Sequence, residues 1–196
     1  MKSLILLFAF VIALNSFSQS GYEDSMKTYL ANYVKNHDVV KSDDKRQMKF
    51  YDVNKSFRVV ADFKPSSSAN WIRFKTSGTT EQVFRVFGTA TIKLNGKNYS
   101  LNIYQSQDLM TNPQYRDYLF LPFTDLTSGN ETYIGGRYID LTTDDVQNNK
   151  VTLDFNKAYN PYCAYVSGVY NCPIPPKENA LSIAIKAGEK AFTKKH

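Results

Sequence analysis

Asp125, Glu131, Asp154, Glu178 and Glu189 are acids set among aromatic and amide side chains, with Tyr133, Arg137, Asn156, Tyr159, Asn160 and Asn179 close by in sequence. Brought together, such a set makes a polar pocket. Its one guanidinium, Arg137, can grip a carboxylate or phosphate through two parallel bonds. Arg137, Asp125, Tyr133, Asn156, Tyr159 and Glu178 are therefore the residues expected to hold a small polar or anionic ligand. Two acids in different surroundings can instead divide acid and base work, as in glycosidases. Glu131 and Asp154 are the pair for such a carboxylate-based hydrolase. The same composition also serves a buried network with no ligand, in which Asp125 and Asn156 satisfy loop amides and Arg137 pairs Glu131 or Asp154. Three classes stand: a binding module, a hydrolase, and a structural or interaction domain.

Other chemistry is missing. Of the two histidines, His196 is the last residue and His37 falls near the end of a predicted helix, so a Ser-His-Asp or Cys-His arrangement has no base. No GxGxxG or GxxxxGK[ST] loop is present to cradle phosphate. Too few nitrogen and sulfur ligands remain for a transition-metal centre, and neither a metal nor a cofactor is expected. Asp125-Leu-Thr-Ser-Gly-Asn-Glu131 places oxygen ligands around a glycine, but it has two carboxylates and lacks the twelve-residue calcium loop.

The elements that must position these residues read as mainly β. The expected fold is a single antiparallel β-sandwich or half-open barrel with an N-terminal amphipathic helix laid across it. That helix runs from Tyr22 to about Val40, with Tyr22, Met26, Tyr29, Leu30, Tyr33 and Val34 on one face. Strands are predicted at Phe57–Phe63 and at Trp71–Thr76, with Trp71 in the core or lining a cavity. A hairpin from Gln82 to Ser106 turns at Asn95-Gly96, the preferred type I′ pair. That register sets Ile92 against Tyr99, Ala90 against Leu101 and Gly88 against Ile103, all on one side with Phe84 and Val86. Gly88 marks a bend or bulge. Further strands are expected at Tyr118–Phe123, Arg137–Leu141 and Val151–Phe155, and a last one through Leu181, Ile183 and Ile185, with a short helix as its alternative. Gly135-Gly136 allows an unusual backbone or a close approach before Arg137.

The start of the chain reads as an export signal. Lys2 precedes an apolar run from Leu4 to Leu14, and Ser16 and Ser18 are the small residues before the cut. Residues 1–18 are expected to be removed, leaving 19–196 as one β-rich domain in the periplasm or outside the cell. The apolar run is shorter than the ~20 residues a spanning helix needs, and nothing downstream spans a bilayer. The chain carries +6, or +5 without Lys2, but its basic residues are interspersed with acids except in the tail. No stripe of cations with interleaved aromatics calls for nucleic acid. A turn at Ser167-Gly168 brings Cys163 opposite Cys172 as a non-hydrogen-bonded hairpin pair, with Cα atoms about 4.5 Å apart. In an exported chain with two cysteines this predicts a disulfide.

Phe123-Thr-Asp-Leu-Thr, Glu131-Thr-Tyr, Gly136-Arg-Tyr, Leu153-Asp-Phe-Asn, Ala158-Tyr-Asn-Pro, Cys163-Ala-Tyr, Cys172-Pro, Pro176-Lys-Glu-Asn and Ala187-Gly-Glu follow one another in order. Together they resemble the bacterial domain of unknown function family 1684, densely over about residues 83–192. The resemblance implies a single-domain protein of about this size. It brings no assigned catalytic residues.

Overall fold

The computed structural model describes residues 21–193. The predicted signal segment lies outside them. Helix α1 (21–36) is followed by strands β1 (Arg58–Pro65), β2 (Trp71–Phe74), β3 (Gln82–Leu94) and β4 (Lys97–Ser106), and by a single helical turn, α2 (Gln107–Met110). Then come β5 (Tyr118–Phe123), β6 (Arg137–Thr142), β7 (Val146–Gln147) and β8 (Lys150–Asp154). All eight strands belong to one antiparallel sheet in the order β6-β5-β4-β3-β1-β8-β7, with β2 added on β3. The fold is mainly β with an N-terminal helix, as expected.

The sheet is open but strongly curled. Phe123 on β5 and Phe155, just past β8, sit four strand spacings apart, about 19 Å along a flat sheet. Their ring centroids are nevertheless 5.3 Å apart. Wrapping lets every long strand feed one core, which includes Phe63, Ile92, Leu101, Ile103, Leu121 and Leu153. The exposed edge of β6 does not meet β7. It is capped instead by the chain after β8, where Tyr138 and Tyr159 exchange both backbone bonds at 2.9 and 3.0 Å. That bridge blunts an edge that could otherwise recruit a foreign strand.

The β3–β4 hairpin has the expected register, and its turn places Asn95 at φ 49° and Gly96 at φ 77°. Positive φ at both central positions is what a type I′ turn requires. A bulge falls between Val86 and Gly88. Its consequence differs from the expectation for Phe84 and Val86. Val86 pairs with Tyr104 while Gly88 pairs with Ile103, so the extra residue, Phe87, switches the strand's faces. Phe84 and Val86 thus join Phe74, Tyr104, Phe120 and Tyr138 in a second, aromatic cluster on the opposite face.

Two further expectations are corrected. Trp71 is 38 % exposed, since β2 is an edge strand, and its ring lies beneath the Arg85 guanidinium at 5.4 Å. The segment after Ala180 is neither strand nor helix. Leu181, Ile185 and Ala187 are buried as their alternation suggests. The segment's backbone partners, however, include the loop after β5, at Thr124 and Leu126, and then side chains. Ile185 donates to the Asp125 carboxylate at 3.2 Å, and Arg137 takes up carbonyls along the same segment.

The disulfide between Cys163 and Cys172 is present, with Cα atoms 6.3 Å apart. It closes an irregular loop with a 3-10 turn at Tyr162–Ala164, not the predicted hairpin. Closing so short a loop contributes on the order of 2 kcal/mol. The bond fixes the loop beside the aromatic cluster.

Candidate functional site

The acids and amides singled out in the sequence fall into separate groups. Arg137 opens β6 and is 1 % exposed. Gly136, at φ 84°, packs so tightly on the Phe123 carbonyl, Thr124 and Pro175 that a Cβ would collide there. This left-handed step drops Arg137 into the core beneath the Phe123 ring, 5.3 Å away. Its Nη2 donates to Asp125 Oδ2 at 2.7 Å and to the Ile185 carbonyl at 2.9 Å. Its Nη1 donates to the carbonyls of Ala187 and Glu189. Asp125 Oδ1 accepts from the Thr127 amide at 2.7 Å and from the Thr127 hydroxyl. Burial lowers the Arg137 pKa and the Asp125 charge opposes that. Both partners are enclosed, and the pair ties the terminal segment to β6.

Asp154 and Asn156 form a second group. Tyr22 on α1 donates to the Asp154 carboxylate at 2.9 Å. Asn156 bonds both the amide and the carbonyl of Asn54 at 2.9 Å. This group docks the helix and the first connection onto the sheet. Glu131 stands elsewhere, at the surface, paired with Lys186 at 2.9 Å and accepting from Tyr51 at 3.1 Å. Lys186 lowers its pKa. Glu178 is exposed on a 3-10 turn, Lys177–Asn179. Tyr133 is half-buried and folds over Gly135. The buried neighbour Asn179 acts as an inserted peptide group. It accepts from the Asn102 amide at 2.8 Å and donates to the Asn102 and Pro122 carbonyls, joining β4 to β5 where their ladder has opened.

Tyr159 alone of the predicted ligand residues reaches a sizeable opening. A cleft of ≈ 880 Å³ lies between α1, the β6 edge, the β2–β3 connection and the disulfide loop. Six tyrosines line it: Tyr29, Tyr33, Tyr138, Tyr159, Tyr162 and Tyr170. Amides at Asn32, Asn36, Gln82 and Asn171 and the carboxylates of Asp38 and Asp140 complete the polar lining. None of the described residues lining it is a lysine or arginine.

Asp140 carries the chemistry of this cleft. Its Oδ1 accepts from Tyr159 at 2.6 Å and from Tyr118 at 2.7 Å. Its Oδ2 has no hydrogen bond among the described residues. Asp140 is exposed to the cleft, yet desolvation by the protein packed around its carboxylate raises its pKa, and the two hydroxyls pull it back down. Burial raises the Tyr159 and Tyr118 phenols far above their ordinary range, so both stay neutral donors. His37 closes one end of the cleft, 5 % exposed, with Nδ1 accepting from the Val40 amide at 2.9 Å. Burial lowers its pKa, helped by Lys45, which leaves the imidazole neutral. Its Nε2 is buried without a hydrogen-bond partner among the described residues.

Deeper still lies Glu189, fully buried. Tyr165 donates to its carboxylate at 2.7 Å and the Asn160 amide at 2.9 Å. Burial pushes its pKa up to about 7, against the pull of Asn160, Tyr165 and the Arg137 charge.

Asp140 is not among the residues singled out in the sequence, although the sequence holds a signal for it. In Arg137-Tyr-Ile-Asp-Leu141, residues 137, 139 and 141 take the core phase, so Tyr138 and Asp140 share the other face. An acid beside a tyrosine on that face marks a polar surface. What opposes it comes from α1 and the disulfide loop, and no local pattern reveals that.

Comparison with known proteins now places the chain. The model of a family described as "Protein of unknown function (DUF1684)" matches residues 44–190. The chain belongs to this family. The matched region extends toward the N-terminus beyond the dense motif blocks and takes in β1 and β2. The fold is similar to the solution NMR structure of an uncharacterized protein from Haloarcula marismortui, with 28% sequence identity and a TM-score of 0.64. That likeness covers 90% of this chain and 99% of the other. No curated protein matches. No helix among the described residues is long and apolar enough to cross a membrane.

Proposed function

We propose that the protein is an exported binding module whose tyrosine-walled cleft holds a small polar molecule. The observation that carries this reading is the ≈ 880 Å³ opening itself, aromatic on its walls, with convergent amides and one half-engaged carboxylate. Its size and its mix of rings with a few polar groups are those of a small-molecule site. Arg137, the expected anchor for an anion, is enclosed by its own protein partners, and the described residues lining the cleft offer no lysine or arginine in its place. The ligand is therefore polar rather than anionic. A hydrolase would need two carboxylates facing one substrate. Glu131 and Asp154 keep different partners in different places, so that pair does not flank one substrate.

Native mass spectrometry of protein purified from its own host tests the reading. The parent is expected to carry a small molecule that an Asn32→Trp variant loses, because Asn32 is an exposed helix residue at the cleft wall. Identical spectra of bare protein from both would count against it.

Export is part of the same proposal. The motive is the short apolar run before Ser18, and a disulfide suits an oxidising compartment. N-terminal sequencing of the mature protein should begin at Gln19 or Ser20. Retention of Met1 would contradict export.

A further inference from the structure

We propose that the molecule held in the cleft is an organic cation, an amine or quaternary ammonium, seated against Asp140 and the tyrosine rings. This rests on the reading of the cleft as a ligand site and goes beyond it in naming the ligand's charge and chemical class.

The sign of the lining is the first support. The chain as a whole is basic, at +6 with a pI near 9.1, yet among the described residues the charged side chains lining its large cleft are both acids, Asp38 and Asp140. His37 adds no charge, because its Nδ1 accepts a backbone hydrogen bond and its ring is buried among Tyr33, Tyr162 and Tyr165. Scattered cations on the outer surface and acids in the cleft are a sorting by charge. It selects against anions and for cations.

Asp140 is the second support. Two tyrosine hydroxyls converge on Oδ1, which fixes the carboxylate and leaves Oδ2 free of protein hydrogen bonds among the described residues. Asp140 itself stays exposed to the cleft, so Oδ2 is open to a donor from a ligand. An ammonium can take that oxygen through a charge-assisted bond.

The rings are the third. Tyr33 and Tyr159 are inclined at 48°, Tyr138 and Tyr159 at 89°, and Tyr162 and Tyr170 at 59°. Inclined rings wall a compact group on several sides, whereas stacking a flat sugar or base calls for a level platform. Tyrosine faces attract cations through their quadrupole, more strongly where water is thinned out. Tyr29 already makes one contact of this kind within the chain, with the Lys157 ammonium 5.1 Å from its ring.

Isothermal titration of the full mature chain with choline, spermidine, methyl glucoside and citrate tests the proposal. At least one of the two cations should bind the parent, while methyl glucoside and citrate bind at least tenfold more weakly. Asp140→Asn keeps an acceptor for both tyrosine hydroxyls, so it should fold, and it should weaken the cation at least tenfold. Melting curves establish that it is folded, and Asn32→Trp should abolish binding independently. Binding of methyl glucoside or citrate in preference to both cations would overturn the cation while leaving the cleft as a ligand site. Cation binding that survives both Asp140→Asn and Asn32→Trp would place the cation elsewhere and overturn the proposal. If the protein binds neither cation and host-purified protein is also bare, the proposal and the binding reading fall together.

Discussion

Arg137→Ala is expected to destabilise the protein by about 3–5 kcal/mol, the cost of leaving one partner of a buried ion pair behind. The substitution strips Asp125 Oδ2 of its cation and removes donors from the carbonyls of Ile185, Ala187 and Glu189 in one step. Those carbonyls belong to the terminal segment, which makes few ladder bonds of its own. Loss of the guanidinium should therefore loosen residues 181–189 before the sheet itself melts. Arg137→Lys should be destabilised as well, by about 2 kcal/mol or more, since one ammonium cannot reproduce a planar fork that serves Asp125 and several carbonyls together. Urea unfolding of both variants, with proteolysis of the terminal segment, checks this. A parent-like midpoint for Arg137→Ala would mean that the buried tie contributes nothing and that the sheet holds the tail unaided.

Glu189 gives the second large effect, and its sign is unusual for a carboxylate. Its folded pKa, about 7, lies above the ordinary glutamate value of 4.5. The folded state thus holds the proton more tightly than the unfolded chain does. Its contribution favours folding below about pH 4.5 and is lost as pH rises through about 7. That difference corresponds to about 3 kcal/mol. Glu189→Gln stays neutral at every pH and can still accept from Asn160 and Tyr165. It should match the parent near pH 4 and exceed it by up to about 3 kcal/mol at pH 8. Thermal or urea melts of both proteins from pH 4 to 8 measure the difference. Curves that stay parallel across that range would contradict the burial account of Glu189.

Both effects come from polar groups sealed inside a curled sheet, and this also explains which features could be read in advance. The β3–β4 hairpin was legible because Asn95-Gly96 fixes its register within two residues. β5, β6 and β8 were legible from short apolar runs between polar turns. The faces of Phe84 and Val86 were not, because a single bulged residue inverts the alternation and nothing in Val-Phe-Gly says which residue is extra. The terminal segment misled for a related reason. Leu181, Ile183 and Ile185 alternate like a strand, but the first two bond only the loop backbone at Thr124 and Leu126, and at Ile185 the side chains of Asp125 and Arg137 take the place of a partner strand.

The functional residues divide in the same manner. Asp125, Arg137, Asp154 and Asn156 stood out by type and density, and that density reflects internal ties that hold the tail and α1 to the sheet. A polar residue with all its partners inside the protein and one waiting for a ligand look alike in a sequence. The cleft depends on where Tyr29, Tyr33 and Tyr162 arrive relative to Asp140. α1 lies more than a hundred positions from β6 in sequence, so only the folded chain brings those rings together.

The most direct measurement of the central claim is an NMR titration of protein labelled at its tyrosine rings. Host extract is added first, then the molecule purified from it. A cleft that holds a small polar ligand predicts saturable shifts in the ring signals of Tyr29, Tyr33, Tyr159 and Tyr162. Tyr51 and Tyr115, which do not line the cleft, should stay fixed. Shifts confined to Tyr51 and Tyr115, or unchanged cleft rings in the presence of a molecule that binds the protein, would contradict it.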